Sequence, residues 1–127
     1  MERPKIRRIL VPTDFSETAG KAVSQAEALA SVFDAGIELF HVTAAVALLP
    51  PPVEVVPFTS LVPDLSRQIE ERLEEEARRV RATGLPCDTK AVGGSPATEI
   101  VRRAQQIGAD LIVMGTHGHG GLAHAVM

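Results

Sequence analysis

Ala109-Asp110-Leu111-Ile112-Val113-Met114-Gly115-Thr116-His117-Gly118-His119-Gly120-Gly121 is the stretch on which the fold turns. Leu111 to Met114 are four consecutive apolar residues without alternation, the pattern of a strand covered on both faces in a parallel sheet. They run into four glycines within the seven residues 115–121. Glycines leave backbone N–H groups bare and able to approach an anion closely. In open α/β sheets, ligands gather outside the carboxyl ends of the strands. The stretch reads as a buried strand followed by a phosphate-cradling loop.

The chain upstream repeats the same order of elements. Ile6 to Val11 reads as a first strand, stopped by Pro12, which cannot donate to a ladder. Thr13-Asp14-Phe15-Ser16 forms a turn in which Asp14 or Ser16 caps the next helix. That helix, from about Glu17 to Asp34, carries Ala19, Ala22, Val23, Ala26, Leu29, Ala30 and Phe33 along one face. Gly36 is expected to end it with a positive φ, and Ile37 to Val42 is the second strand.

Residues 44–63 hold five prolines, Pro50-Pro51-Pro52 among them, and show no periodicity. They read as a mobile proline-rich surface loop. Asp64 to Thr83 is the clearest helix, with Leu65, Ile69, Leu73, Ala77 and Val80 inward and the pairs Glu74/Arg78 and Glu75/Arg79 outward. Pro86 to Val92 is a weaker third strand. In Gly93-Gly94-Ser95-Pro96, Ser95 is an N-cap and Pro96 a first helical residue. The helix to Ile107 is expected to bury Ile100, Ala104 and Ile107 and to end at Gly108. The order β-α-β-α-β-α-β implies a parallel sheet with right-handed crossovers. Residues after the glycine loop are expected to open a further helix, with no fifth strand.

Composition narrows the function. The 127 residues suffice for one domain with its own core. Thirteen basic against 16 acidic residues, a net charge of −3, argue against a nucleic-acid binder that works by phosphate neutralisation. The absence of Trp and Tyr leaves no base-stacking platform. A single cysteine, Cys87, excludes an internal disulfide framework, fits a reducing compartment and reads as a small apolar residue. No apolar run is long enough to span a bilayer, and nothing at the N-terminus resembles a signal peptide. A cytoplasmic protein is expected.

Several motifs fail on inspection. Gly118-His119-Gly120-Gly121-Leu122-Ala123 fits G-x-G-x-x-A, but it follows the fourth strand and lacks the βαβ unit and acidic residue that a dinucleotide site requires. No Lys-Ser/Thr follows the glycines, which excludes a Walker A loop. Ser95 is no nucleophile, because Pro96 has no N–H to lend to an oxyanion hole. His117, His119 and His124 have no local carboxylate or Cys partner and suit phosphate contact as well as metal binding.

Val11-Pro12-Thr13-Asp14-Phe15-Ser16 after strand one, and Asp110 to Gly118 around strand four, resemble the universal stress proteins, over essentially the whole chain. The nucleotide-binding branch of that family carries G-x-x-G, nine residues, then G-[S/T]. Gly115-Thr116-His117-Gly118 supplies the first half, and His119 to Met127 are the nine residues that follow. The resemblance thus implies a single domain over 1–127 that lacks the family's last helix and strand at its C-terminal end. It implies an α/β, doubly wound, open parallel sheet, Rossmann-like and adenine-nucleotide-hydrolase-like, of strand order 3-2-1-4(-5). It implies an ATP-binding stress-response sensor or regulatory module, usually a homodimer, with at most slow hydrolysis. Pro12, Thr13 and Asp14 would line the adenosine end and Val42 would meet the adenine edge through its backbone. Met114 and Gly115 would touch the ribose, and His117 and Gly118 the phosphates, which would carry Mg2+ or Mn2+. Asp14 has two open readings, helix cap and ligand contact. The alternatives are a family member that binds no nucleotide and acts through protein contacts, and a true nucleotide hydrolase.

Overall fold

A computed structural model describes residues 5–43, 63–115 and 123–126. Its elements are β1 (Arg8–Pro12), α1 (Glu17–Phe33), β2 (Gly36–Thr43), α2 (Pro63–Arg81), β3 (Cys87–Gly93), α3 (Pro96–Ile107), β4 (Leu111–Gly115) and β5 (Ala123–Val126). The sheet runs β3-β2-β1-β4-β5. The first four strands are parallel, in the expected order 3-2-1-4. The proline-rich segment lies outside the described residues, apart from Pro63, which opens α2.

The stretch expected to begin a helix forms β5 instead, antiparallel to β4 with Gly115 opposite Ala123 and Ile112 opposite Val126. Without β5, β4 would be the edge of the parallel sheet, and such an edge accepts an extended segment alongside it.

Topology sets the two faces. The steps from β1 to β2 to β3 move one way, so right-handed crossovers put α1 and α2 on one side. The step from β3 to β4 reverses and carries α3 to the other. On the first side Ile9, Val11, Ile37, Leu39, Leu111 and Val113 meet the inward residues of α1 and α2 in one apolar cluster. On the second, Leu10 and Phe40 are buried. There too Glu38, only 7 % exposed, accepts two 2.7 Å hydrogen bonds from Arg103 of α3. The paired carboxylate holds the Arg103 guanidinium pKa above its ordinary value.

Four local expectations are corrected. Helix α1 ends on Asp34, whose φ of 56° is left-handed, while Gly36 is already the first residue of β2. Asp tolerates that region because its short polar side chain bonds locally. Leu65 is 40 % exposed and Ser66, 7 % exposed, takes the inward place in the first turns of α2. Glu74 pairs with Arg81, not Arg78, since Arg81 is also anchored by its Nε bond to the Cys87 carbonyl. Helix α3 has no fully buried residue. Ile100, Ala104 and Ile107 are half-buried, because the ion pair holds that helix over β2 and leaves its far flank open.

Asp110 has a structural duty. Its carboxylate accepts from the N–H groups of Arg7 and Arg8 at 2.9 and 3.2 Å. This ties the amino ends of β1 and β4, at the end of the sheet opposite the carboxyl ends of the strands.

Candidate functional site

The order reversal between β1 and β4 opens a crevice at the carboxyl ends of the strands. A cleft of about 390 Å³ lies there, on the α3 side, within the range of small-molecule sites. Pro12, Thr13, Asp14, Val42, Met114 and Gly115 all line it. His117 and Gly118 lie outside the described residues.

The turn after β1 is held by its own side chains. The Asp14 carboxylate accepts from the Ser16 N–H at 2.9 Å, and Ser16 Oγ accepts from the Ala19 N–H at 3.1 Å. Ser16 is therefore the N-cap of α1, and Asp14 braces the turn before it. Gly115 closes the other wall. A Cβ there would stand 2.7 Å from Thr18 Cγ2 and 3.0 Å from the Thr18 backbone, so only glycine lets β4 end against the first turn of α1.

The same turn changes what β2 offers. The Thr13 N–H donates to the Phe40 carbonyl at 2.8 Å, which turns the peptide groups of Phe40, and by alternation those of Val42, toward β1. A continued ladder would give Val42 two partners, the Thr13 carbonyl and the Phe15 N–H. Both are diverted. The Thr13 carbonyl takes the His41 Nδ1 at 2.8 Å, and the Phe15 N–H donates to Thr13 Oγ1 at 3.1 Å. Val42 thus turns one donor and one acceptor into the crevice without those partners.

The sequence reading missed Phe40 as the apolar floor and Pro96, Ala97 and Ile100 as the far wall. A signal existed for the latter. Gly93-Gly94-Ser95-Pro96 follows β3 at the same edge of the sheet, so the start of α3 has to face the crevice. Ser95 is the N-cap in position, but its side chain makes no capping bond. Cys87 is buried under α2, and burial pushes its thiol up to about 11, which suits the packing role expected of it. Among the described residues no three His, Cys, Asp or Glu gather as a metal site, and no helix is long and apolar enough to cross a membrane.

A doubly wound parallel sheet with a cleft at its switch point defines the class, and sequence comparison defines the family. The model of the universal stress protein family matches residues 5–127, and the chain belongs to that family. It is 32 % identical over 130 residues to universal stress protein MJ0531 of Methanocaldococcus jannaschii, covering 95 % of this chain and 71 % of that one. The solved structure of MJ0577, whose sequence comes from the same organism, superposes with a TM-score of 0.75 at 29 % identity over 94 % of this chain and 80 % of that one. A family protein from Arabidopsis thaliana, solved with AMP bound, shares the fold at a TM-score of 0.62 and 17 % identity, over 90 % of this chain and 79 % of that one.

Proposed function

We propose that the cleft binds an adenine nucleotide and that the protein works as a nucleotide-responsive regulatory module in stress adaptation, without efficient hydrolysis. The observation that carries this reading is the Val42 peptide. Its N–H and C=O stand side by side beyond the end of β1, and the adenine edge presents the complementary acceptor and donor at N1 and the exocyclic amine. Phe40 and Ile100 give the base an apolar seat. Asp14, at the mouth of the cleft, is an acceptor for ribose hydroxyls. Met114 and Gly115 adjoin the ribose, and the glycine loop at His117 and Gly118 takes the phosphates, whose bound Mg2+ or Mn2+ would neutralise charge. The AMP held by the Arabidopsis protein supports an adenine ligand for this fold.

No Lys or Arg lines the described cleft to offset charge developing on a transferring phosphoryl group. That favours retention of the nucleotide over turnover. Two copies per assembly is the arrangement that the family reading favours.

Calorimetric titration with Mg·ATP, ADP and AMP tests the proposal. Binding should be saturable, and Asp14→Ala should weaken it at least about tenfold, the loss of one or two charge-assisted hydrogen bonds. Binding by Asp14→Ala and Gly118→Val equal to that of the parent chain would place the nucleotide elsewhere.

A further inference from the structure

The turn that shapes the cleft is held by its own side chains and also from the opposite side of the sheet. Phe15 has a φ of 66°, a left-handed value that a bulky residue adopts only when its surroundings impose it. Its ring stacks on His41 with centroids 4.9 Å apart and planes 26° from parallel. Arg72 of α2 lies over the ring, its Cζ 4.2 Å from the centroid. Because a carbonyl only accepts, His41 Nδ1 carries the hydrogen shared with the Thr13 oxygen. The column therefore runs from α2 through Phe15 and His41 to the Thr13 carbonyl, the group diverted from Val42. None of Arg72, Phe15 and His41 lines the cleft.

We propose that the Arg72–Phe15–His41 column positions the Thr13–Ser16 turn and, through it, sets the affinity of the cleft for adenosine, which makes all three positioning residues. The link to affinity rests on the nucleotide reading above. The physical reason is that the seat of the ring between His41 and Arg72 adds to the Thr13 and Asp14 turn bonds in holding a phenylalanine in left-handed backbone. Once the ring is released, the turn can relax toward β-space and the Phe15 N–H and Thr13 carbonyl can return to Val42. The donor and acceptor that face the crevice would then be consumed by the sheet.

The column also adjoins a hollow of about 520 Å³ between α1 and α2. There Glu76, half-buried, has its carboxyl pKa raised by burial. Arg72 lines that hollow, so α2 contacts the column on a surface separate from the cleft.

The test uses Arg72→Ala, Arg72→Lys and Phe15→Gly in the full chain, read by amide NMR of Thr13 to Ser16, by Mg·ATP titration and by thermal unfolding. Phe15→Gly suits the left-handed φ, so it removes the ring without adding backbone strain. Arg72→Ala is expected to shift the Thr13, Asp14 and Phe15 amides and to weaken ATP about twofold to fivefold, the scale of a cation–π contact whose cation is exposed. Arg72→Lys, which keeps a cation, should recover part of both effects. Phe15→Gly should shift the same amides and weaken ATP by at least as much, with its Tm within a few degrees of the parent.

If the parent chain binds no ATP and Arg72→Ala still shifts those amides, the nucleotide reading falls and the column stands as the device that sets the turn. Amides unmoved by Arg72→Ala would overturn the proposal. So would moved amides with unchanged ATP affinity in a parent chain that binds.

Discussion

Where α1 and α2 cover the sheet, Ile9, Val11, Leu39, Ala77 and Val80 are fully buried and Leu73 is 1 % exposed. Where α3 covers it, the fastening is Glu38 with Arg103, and α3 buries none of its own residues completely. The first face is dry and close-packed, and alanines on α1 let that helix lie near the strands. The second is partly wet, held by a charge pair, and contains the cleft. The division has a physical logic. A ligand needs open volume and exposed polar groups, and both subtract from packing. The fold concentrates its apolar burial on the α1 and α2 side of the sheet and leaves the α3 side open around the cleft.

The largest expected difference lies in truncation. Leu73→Ala should cost about 3 kcal/mol, within the range for large-to-small changes in a filled core. Ile107→Ala, on the open flank of α3, should cost about 1 kcal/mol. Urea unfolding of the two variants measures both. Equal losses would mean that the faces are equally packed, and the comparison would fail.

The charge pair gives the next effect. Arg103→Ala leaves the Glu38 carboxylate buried without its partner. The cost should be about 2 kcal/mol, less than for a fully enclosed pair because the Arg103 side chain is 23 % exposed. Replacing both partners, as in Glu38→Leu with Arg103→Met, should restore stability to within about 1 kcal/mol of the parent. A double variant as damaged as the single one would show that the pair supplies net stability instead of fixing where α3 lies.

The dry face was the more legible in the sequence. The helical spacing of Ala22, Val23, Ala26 and Ala30, and of Ile69, Leu73, Ala77 and Val80, marks it directly. The unalternated run Leu111 to Met114 marks a central parallel strand. The wet face was legible only in part. Glu38 within Ile37–Val42 gives no sign of its partner, since an ion pair between residues so far apart in the chain leaves no local pattern. The left-handed Phe15 is equally silent, because positive φ has a sequence signature only in glycine, asparagine and aspartate. That preference misdirected the end of α1 to Gly36 when Asp34 was the residue. For the site, the glycines of strand four and Asp14 could be read from residue type, while Val42 came from family resemblance alone. A backbone contact depends on where β1 turns away, and no side chain announces that.

Cys87 offers the smallest effect and a direct measure of how dry the first face is. Its thiol ionises near 9.0 when solvated and is pushed up to about 11 in the fold by burial. Below pH 9 both states hold the proton and the group adds no pH dependence. Above it the unfolded chain releases the proton while the folded chain retains it, so stability falls with rising pH until the folded thiol ionises as well. Between pH 8 and pH 10 the loss from this one group should be about 1.4 kcal/mol, the value of one pKa unit. Unfolding free energies of the parent and of Cys87→Ala across that interval isolate it, because every other alkaline titration is common to the two. The parent should lose more than the variant by about that amount. Parallel slopes would mean that water reaches the Cys87 thiol between β3 and α2, and the dryness claimed for that face would have to be withdrawn at this edge.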